Sequence, residues 1–210
     1  MKTKVFNLII LDESGSMYSI KKEAIDSVNE TIQTIRSAER KNEDQEHLVS
    51  FVTFNDSVKK VYDCVPVVDV QELTSEIYCP SCSTALYDAM GTSLNELRHQ
   101  VTNEDRVLVT IVTDGYENAS REYDGKAVKA LVDELKHKGW VFAYIGANHD
   151  VAKAAATISI SNTLTFKTTP EDTMCMSECV NKSRDKFYSR LSKPYFNAAV
   201  ENEHFFDDKD

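Results

Sequence analysis

Residues 5–17 of the chain read VFNLIILDESGSM, an apolar run that passes directly into an acidic and hydroxyl-rich loop. From Val5 to Leu11 the only polar residue is Asn7. A nearly continuous apolar run with β-branched members is typical of a strand that is buried on both faces of a parallel sheet. The stretch therefore predicts the central strand of a sheet, followed at once by a polar loop.

The segments that follow alternate between helical and strand-like patterns. Apolar residues recur at helical spacing from Ile20 to Ile35, which predicts an amphipathic helix that covers the sheet. Residues 47–54 and 57–67 read as two strands around a short Asn-Asp turn, so we expect an antiparallel hairpin at a sheet edge. Further strands are predicted at 107–113, 140–145 and 163–166, and further helices near 85–100, 122–138, 149–158 and 170–191.

This order of elements predicts a three-layer α/β domain. We expect a doubly wound, mostly parallel sheet of about six strands with one antiparallel edge strand and helices on both faces, as in Rossmann-like folds. Ligands of such folds bind at the carboxyl ends of the strands. The domain is expected to span residues 1–192, and residues 193–210 are expected to form an acidic, partly disordered tail.

Composition excludes several classes of partner. The 210 residues carry 24 basic and 34 acidic side chains, and the net charge of −10 should repel a nucleic acid backbone. No apolar run approaches the roughly 20 residues that a membrane-spanning helix needs, and Asp12 ends the first run too early for a secretory signal. Five cysteines without a disulfide-scaffold spacing suit a reducing compartment, so we expect a cytoplasmic location.

Three polar loops are expected to meet at the carboxyl edge of the sheet. Asp12, Ser14 and Ser16 occupy alternate positions after the first strand, and Asp114 follows the strand at 107–113. A third loop carries Thr84 at or near the start of a helix. Carboxylate and hydroxyl oxygens are hard ligands that suit Mg²⁺, Mn²⁺ or Ca²⁺. The sequence therefore predicts one divalent metal site.

These residues resemble the metal-ion-dependent adhesion site of the von Willebrand factor type A family. The family's D-x-S-x-S motif matches Asp12, Ser14 and Ser16, its separate threonine matches Thr84, and its later aspartate, often within T-D-G, matches Asp114. The order of elements agrees from residue 5 to about residue 191, and the chain also resembles compact stand-alone bacterial and phage members. One local departure is Cys82-Ser83, since many relatives have glycine before the paired hydroxyl residues.

The resemblance implies a binding protein and not an enzyme. It implies one ion, with Mg²⁺ preferred and Mn²⁺ or Ca²⁺ as alternatives, bound by the three hydroxyls and partly through water by the two aspartates. A Glu or Asp of a protein partner would complete the coordination. The partner surface is expected on the loops that bear Met17, Tyr18, Thr84 and Tyr116.

The first loop allows two other interpretations. The D-x-S-x-S string could cap a helix, because Asp and Ser are preferred N-cap residues. Asp12 could also be the nucleophile of a haloacid dehalogenase-like phosphatase, with residues 146–150 as the later acidic loop. Such enzymes need a second Asp two positions after the nucleophile as general acid and base, and Ser14 stands there.

The cysteines allow a zinc alternative. Cys79 and Cys82 have the C-x-x-C spacing of half a four-thiolate site, whereas Cys175 and Cys179 are one residue further apart. Separate free thiols are the favoured interpretation.

Three further residues near the motifs carry expectations of their own. Glu13 is expected to face solvent, and Asp88, one helical turn after Thr84, is expected to hold the loop that carries Thr84 by hydrogen bonds. His149 is expected to belong to a loop at the start of a helix.

Overall fold

The structure, a computed structural model, describes residues 2–148 and 150–206. The strands are β1 (Thr3–Asp12), β2 (Gln45–Phe54), β3 (Val58–Pro66), β4 (Arg106–Thr113), β5 (Val141–Ala147) and β6 (Thr163–Phe166). The helices are α1 (Lys21–Lys41), α2 (Leu86–Leu97), α3 (Gly125–His137), α4 (Val151–Thr157), α5 (Pro170–Leu191) and α6 (Ala198–His204). In these described ranges, no helix has the length and apolar character that crossing a bilayer requires.

The six strands form one sheet in the order β3-β2-β1-β4-β5-β6. Every neighbouring pair is parallel except β2 and β3, which form the predicted antiparallel hairpin at one edge. The predicted three-layer α/β fold is therefore confirmed. The strand order reverses between β1 and β4, and such a switch point opens a crevice at the carboxyl ends of the two strands.

Strand β1 is buried on both faces, as its apolar run predicts. Alternate side chains enter two separate cores, because successive residues of a strand point to opposite faces. One core includes residues of α1 and α5, and the other includes residues of α2, α3 and α4. The β1 residues in the first core are Val5, Ile9 and Leu11, and those in the second are Phe6, Leu8 and Ile10.

The one polar residue within the run, Asn7, meets a buried polar cluster beneath α5. Arg184 is fully buried and donates to Thr110 Oγ1 at 2.7 Å and to Tyr188 Oη at 3.1 Å. The Tyr188 hydroxyl in turn donates to Asn7 Oδ1, and the His47 ring stacks edge-on against Tyr188 at 4.7 Å. Burial, together with the charge of Arg184, lowers the pKa of His47 to about 4, so the ring is neutral at pH 7.

Residues 193–210, which were expected to form an acidic, partly disordered tail, contain helix α6 in their described part. Helix α6 lies against the start of β5, where Asn202 accepts from Phe142 N at 3.0 Å and donates to Trp140 O at 2.8 Å. Phe205 is 2% exposed and packs edge-on against Phe187 at 5.9 Å between ring centroids. Phe205 thus anchors the end of this segment to the core. Residues 207–210 lie outside the described residues.

We predict that Phe205→Ala lowers the free energy of unfolding by about 3 kcal/mol, because it removes a buried aromatic ring from the core. Urea unfolding measured by circular dichroism gives this difference. The matched control is Val200→Ala, since Val200 is 50% exposed on the same segment and should change stability little. Equal stabilities for the two variants would contradict the packed position of Phe205.

Candidate metal centre

The five residues predicted to bind the ion meet at the carboxyl ends of β1 and β4. Ser14 Oγ lies 3.2 Å from Ser16 Oγ, and the Ser16 hydroxyl donates to Asp114 Oδ1 at 2.5 Å. Thr84 Oγ1 lies close to Gly115, the residue that follows Asp114. A Cβ atom at Gly115 would be 3.8 Å from this oxygen. Asp12 is fully buried, Ser14, Thr84 and Asp114 are at most 4% exposed, and Ser16 reaches solvent. The structure thus brings oxygens from three loops to one place.

Asp12 is held rigidly at the bottom of this cluster. Its Oδ1 accepts from Ser14 N at 2.7 Å, and its Oδ2 accepts from the Thr113 hydroxyl at 2.6 Å. Burial, the largest effect, raises the pKa of Asp12 to about 6, and the Asp114 carboxylate adds a smaller increase. The hydrogen bonds from Thr113 and Ser14 act in the opposite direction and lower this pKa. The groups around Asp12 named here are a backbone N–H, a hydroxyl and a second carboxylate, and none of them carries a positive charge. A buried carboxylate next to a second one is a position that favours a cation.

The contacts of Ser14 do not match the capping interpretation of the first loop. Ser14 is the N-cap residue of a short 3₁₀ helix, Gly15–Ile20, but its side chain makes no capping hydrogen bond. Its hydroxyl instead faces that of Ser16. Gly15 N donates to Cys82 O at 3.1 Å, which joins this loop to the segment before Thr84. The serine side chains are therefore directed to the cluster and not to the helix end.

Thr84 is fixed from the opposite side by a residue that the sequence analysis did not single out. Thr84 N donates to Asn118 Oδ1 at 2.9 Å, and Asn118 N donates to Thr84 O at 3.0 Å. Asp88 does hold a loop by hydrogen bonds, but it is the segment after Asn118 and not the loop that carries Thr84. Its carboxylate accepts from the backbone N–H groups of residues 121, 122 and 123, each at 2.8 Å.

Glu13 does not face solvent as expected. It is 6% exposed, its carboxylate accepts from Cys79 N, and its carbonyl oxygen accepts from Ser81 N at 2.8 Å. The expectation failed because the segment 79–82 covers the side of the loop to which Glu13 points. Tyr78, also not foreseen, donates from its hydroxyl to Asp12 O at 2.7 Å. Burial and the nearby carboxylates raise the pKa of Tyr78, so this hydroxyl remains a donor.

The exposed aromatic residues around the cluster are Tyr18 and Tyr116, which are 72% and 57% exposed. Tyr116 is held in place because its hydroxyl accepts from Asp150 N at 3.0 Å. Met17, which was expected on the same surface, is fully buried and belongs to the core beneath α1. Its side chain points inward because the 3₁₀ helix turns this position towards the sheet.

The cysteines and His149 are the remaining residues with an expected position. Cys64, Cys79, Cys82 and Cys175 are free thiols, and the last three are exposed. Within residues 2–148 and 150–206, no group of three or more His, Cys, Asp and Glu side chains is arranged to hold a metal ion. The zinc alternative thus has no support in the part of the chain that the structure describes. His149 lies outside the described residues.

Known structures resemble this one at low sequence identity. Proximal thread matrix protein 1 from the mussel byssus has a TM-score of 0.56 and 18% identity over 87% of this chain and 46% of its own. The PilB minor pilin from Streptococcus sanguinis has a TM-score of 0.62 and 13% identity over 92% of this chain and 64% of its own. The von Willebrand factor domain of the pilus tip protein Mfa5 from Porphyromonas gingivalis has a TM-score of 0.57 and 11% identity over 87% of this chain and 96% of its own.

These similarities bear on the fold. The chain spans about half to two thirds of the length of the first two proteins, whose other parts have no counterpart here. No protein of curated function matches the chain. The family model of the von Willebrand factor type A domain matches residues 8–178, which is most of the sequence. With the sheet order and the clustered loops described above, this match shows that the chain belongs to the von Willebrand factor type A domain family.

Proposed function

We propose that the chain is a protein-binding module that holds one divalent cation on Asp12, Ser14, Ser16, Thr84 and Asp114. Mg²⁺ is the preferred ion, with Mn²⁺ or Ca²⁺ as alternatives. The observation that carries the proposal is the 2.5 Å contact between the Ser16 hydroxyl and Asp114, which joins the loops after β1 and β4. Donor atoms that are far apart along the chain share one small volume.

The donor set suits a hard ion that remains open to a ligand. Two carboxylates can balance the charge of a divalent cation, and three hydroxyls add neutral oxygen donors. Zinc prefers nitrogen and sulfur ligands, which are not among these five residues. When bound, the ion would offer an electrophilic position to a carboxylate oxygen of a partner, and this is the basis for proposing a partner that presents Asp or Glu.

Binding is favoured over catalysis by the state of Asp12. The phosphatase alternative needs this carboxylate to attack phosphorus, but Asp12 is fully buried and both of its oxygens accept hydrogen bonds. Ser14 stands where the general acid would be required. The similar structures include a minor pilin, a pilus tip protein and a thread matrix protein. A non-catalytic role agrees with proteins of these kinds.

The partner surface in this proposal is the rim formed by Tyr18 and Tyr116. Exposed tyrosines supply large contact areas at a low entropic cost, and they are frequent among residues that dominate interface energies. The net charge of −10 gives little long-range attraction for an acidic partner, so affinity must come from the ion and this rim together. We retain as part of the proposal the cytoplasmic location expected from the sequence, with support from the free thiols of Cys64, Cys79, Cys82 and Cys175.

We predict that Asp12→Ala abolishes binding of one Mg²⁺ or Mn²⁺ per chain, because the variant loses the carboxylate at the centre of the cluster. Isothermal titration calorimetry of the chelator-treated protein measures the stoichiometry. Asp56→Ala is the matched control, since this exposed carboxylate lies in the nearby β2–β3 turn, outside the cluster. Equal binding by Asp12→Ala and the wild type would show that the site is misassigned. The metal-free wild type should stay folded, because both cores form independently of the ion.

We also predict a pH dependence that isolates Asp12. In the metal-free protein the pKa of Asp12 is raised from 3.8 to about 6, so the folded state holds the proton more tightly than the unfolded state does. The protonated carboxyl group therefore contributes fully to the free energy of unfolding below pH 3.8, and this contribution is lost as the pH rises through about 6. Asp12→Asn removes this titration. The variant should match the wild type near pH 4 and exceed its stability at pH 7.5 by up to about 3 kcal/mol.

Urea unfolding in the presence of EDTA at the two pH values tests this difference. Added Mg²⁺ should reduce the advantage of the Asn variant at pH 7.5, because an ion that binds only the folded wild type stabilises it. An identical stability difference at both pH values would mean that Asp12 has an ordinary pKa in the folded protein.

For the partner, we predict that capture depends on the ion and on Thr84. The wild-type domain should retain a specific partner in Mg²⁺ and release it with EDTA, and Thr84→Ala should weaken the partner more than the ion. Quantitative pull-down with mass spectrometry compares the wild type, Thr84→Ala and Asp56→Ala. Once a partner is in hand, its candidate Asp or Glu is changed to Ala. Retention that is unchanged by EDTA, by Thr84→Ala and by the partner substitution would refute an ion-bridged contact.

A further inference from the structure

We propose that Asn118 is the positioning residue for Thr84, and that it joins Thr84 and Asp114 into one rigid half of the metal centre. Asn118 lies in residues 115–123, which follow Asp114 and lead towards α3. We call this segment the bridging loop because its hydrogen bonds connect the end of β4 to the start of α2. The positional claim depends on hydrogen bonds within the protein. Its effect on ion affinity rests on the proposed function.

The first support is the reciprocal contact between Asn118 and Thr84. The side-chain oxygen of Asn118 accepts from Thr84 N at 2.9 Å, while the Asn118 backbone donates to Thr84 O at 3.0 Å. Both polar backbone groups of Thr84 are therefore bound to a single residue 34 positions away. Two bonds to one residue restrict rotation as well as translation, so the direction of the Thr84 hydroxyl is restrained along with its backbone.

The second support is the way in which α2 begins. Its N-cap residue, Ala85, has no side chain that can cap the helix, so the first N–H groups need partners from elsewhere. The bridging loop supplies them: Tyr87 N donates to Glu117 Oε2 at 2.9 Å, and Asp88 N donates to Ser120 Oγ at 3.0 Å. The loop thus replaces the missing cap of the helix that follows Thr84.

The third support is that the helix binds the loop in return. The Asp88 carboxylate accepts from three consecutive N–H groups at the end of the bridging loop. A loop that donates to and accepts from the same helical turn is fixed to it along its length. The bridging loop and the start of α2 therefore form a single body.

Asp114 is part of this body because the bridging loop begins directly after it. The Thr84 hydroxyl lies against that first position, 3.8 Å from where a Cβ of Gly115 would be. The loop of Asp12, Ser14 and Ser16 belongs to β1 and the 3₁₀ helix instead. The centre thus consists of two halves, and Asn118 secures the half that contains Thr84.

The position of Asn118 makes a clean test possible. The residue is exposed, so a substitution does not open the core. Asn118→Ala removes the side-chain acceptor but keeps the backbone donor, whereas Asn118→Asp keeps an acceptor oxygen in the same place. Glu122→Ala is the matched control, because Glu122 is an exposed residue of the same loop.

The experiment measures amide hydrogen exchange at Thr84 by NMR in the metal-free protein, followed by Mg²⁺ titration of the same samples. We expect exchange at Thr84 to rise by about two- to tenfold in Asn118→Ala, which is the effect of losing one hydrogen bond. The Mg²⁺ dissociation constant should rise by a similar factor. Asn118→Asp should restore slow exchange at Thr84, while its added negative charge should tighten Mg²⁺ binding. Glu122→Ala should change neither value relative to the wild type, and the melting temperature should vary little. If the alanine variant does not fold, Asn118→Ser provides the same comparison.

Each outcome separates this inference from the proposed function. Unchanged exchange at Thr84 in Asn118→Ala overturns the positioning role, whatever the ion does. Faster exchange with unchanged Mg²⁺ affinity overturns the link between Asn118 and the metal centre. If the wild type binds no Mg²⁺, Mn²⁺ or Ca²⁺, the proposed function fails and the link to ion affinity fails with it, while the exchange data still decide whether Asn118 positions Thr84.

Discussion

Strand β1 can occupy the middle of the sheet because both of its faces are apolar, and its parallel pairing with β4 determines what lies at the carboxyl edge. The register pairs Leu11 with Val112, so Asp12 stands beside Thr113, whose hydroxyl donates a hydrogen bond to Asp12 Oδ2 at 2.6 Å. A shift of one residue would turn Asp12 to the opposite face of the sheet. The packing of two buried strands, and not the loops themselves, therefore sets the position of the candidate metal centre.

The same packing imposes an electrostatic cost. Asp12 and Asp114 come together where little solvent reaches them, and hydrogen bonds from Ser14 and Thr113 offset only part of the desolvation of Asp12. On the other side of the sheet, Arg184 is buried among hydroxyl groups. Two extensive apolar cores stabilise a domain that carries charge on both sides of its central strands. A cation at the carboxyl edge would relieve the cost on that side.

Most of the fold could be predicted because it follows from local periodicity. The apolar run of β1, the hairpin and α5 all have patterns that span neighbouring residues, and the five candidate ligands belong to short motifs. The contacts that support those ligands join distant positions: Tyr78 reaches Asp12 across 66 residues, and Asn118 reaches Thr84 across 34. No local pattern encodes such pairs. The burial of Glu13 is not predictable from sequence for the same reason, since its partner Cys79 belongs to a segment that only the folded chain brings near.

Helix α6 contacts the amino end of β5 through Asn202, and β1 also begins at that end of the sheet. The centre around Asp12 lies at the other end. The start of β1 and helix α6 therefore lie at one pole of the domain, and the candidate ligands lie at the other. If the domain were attached to a surface, a larger protein or an affinity resin through residues near either of these ends, the attachment would leave the opposite pole facing outward. Orientation would then follow from topology, with no need for a specialised linker.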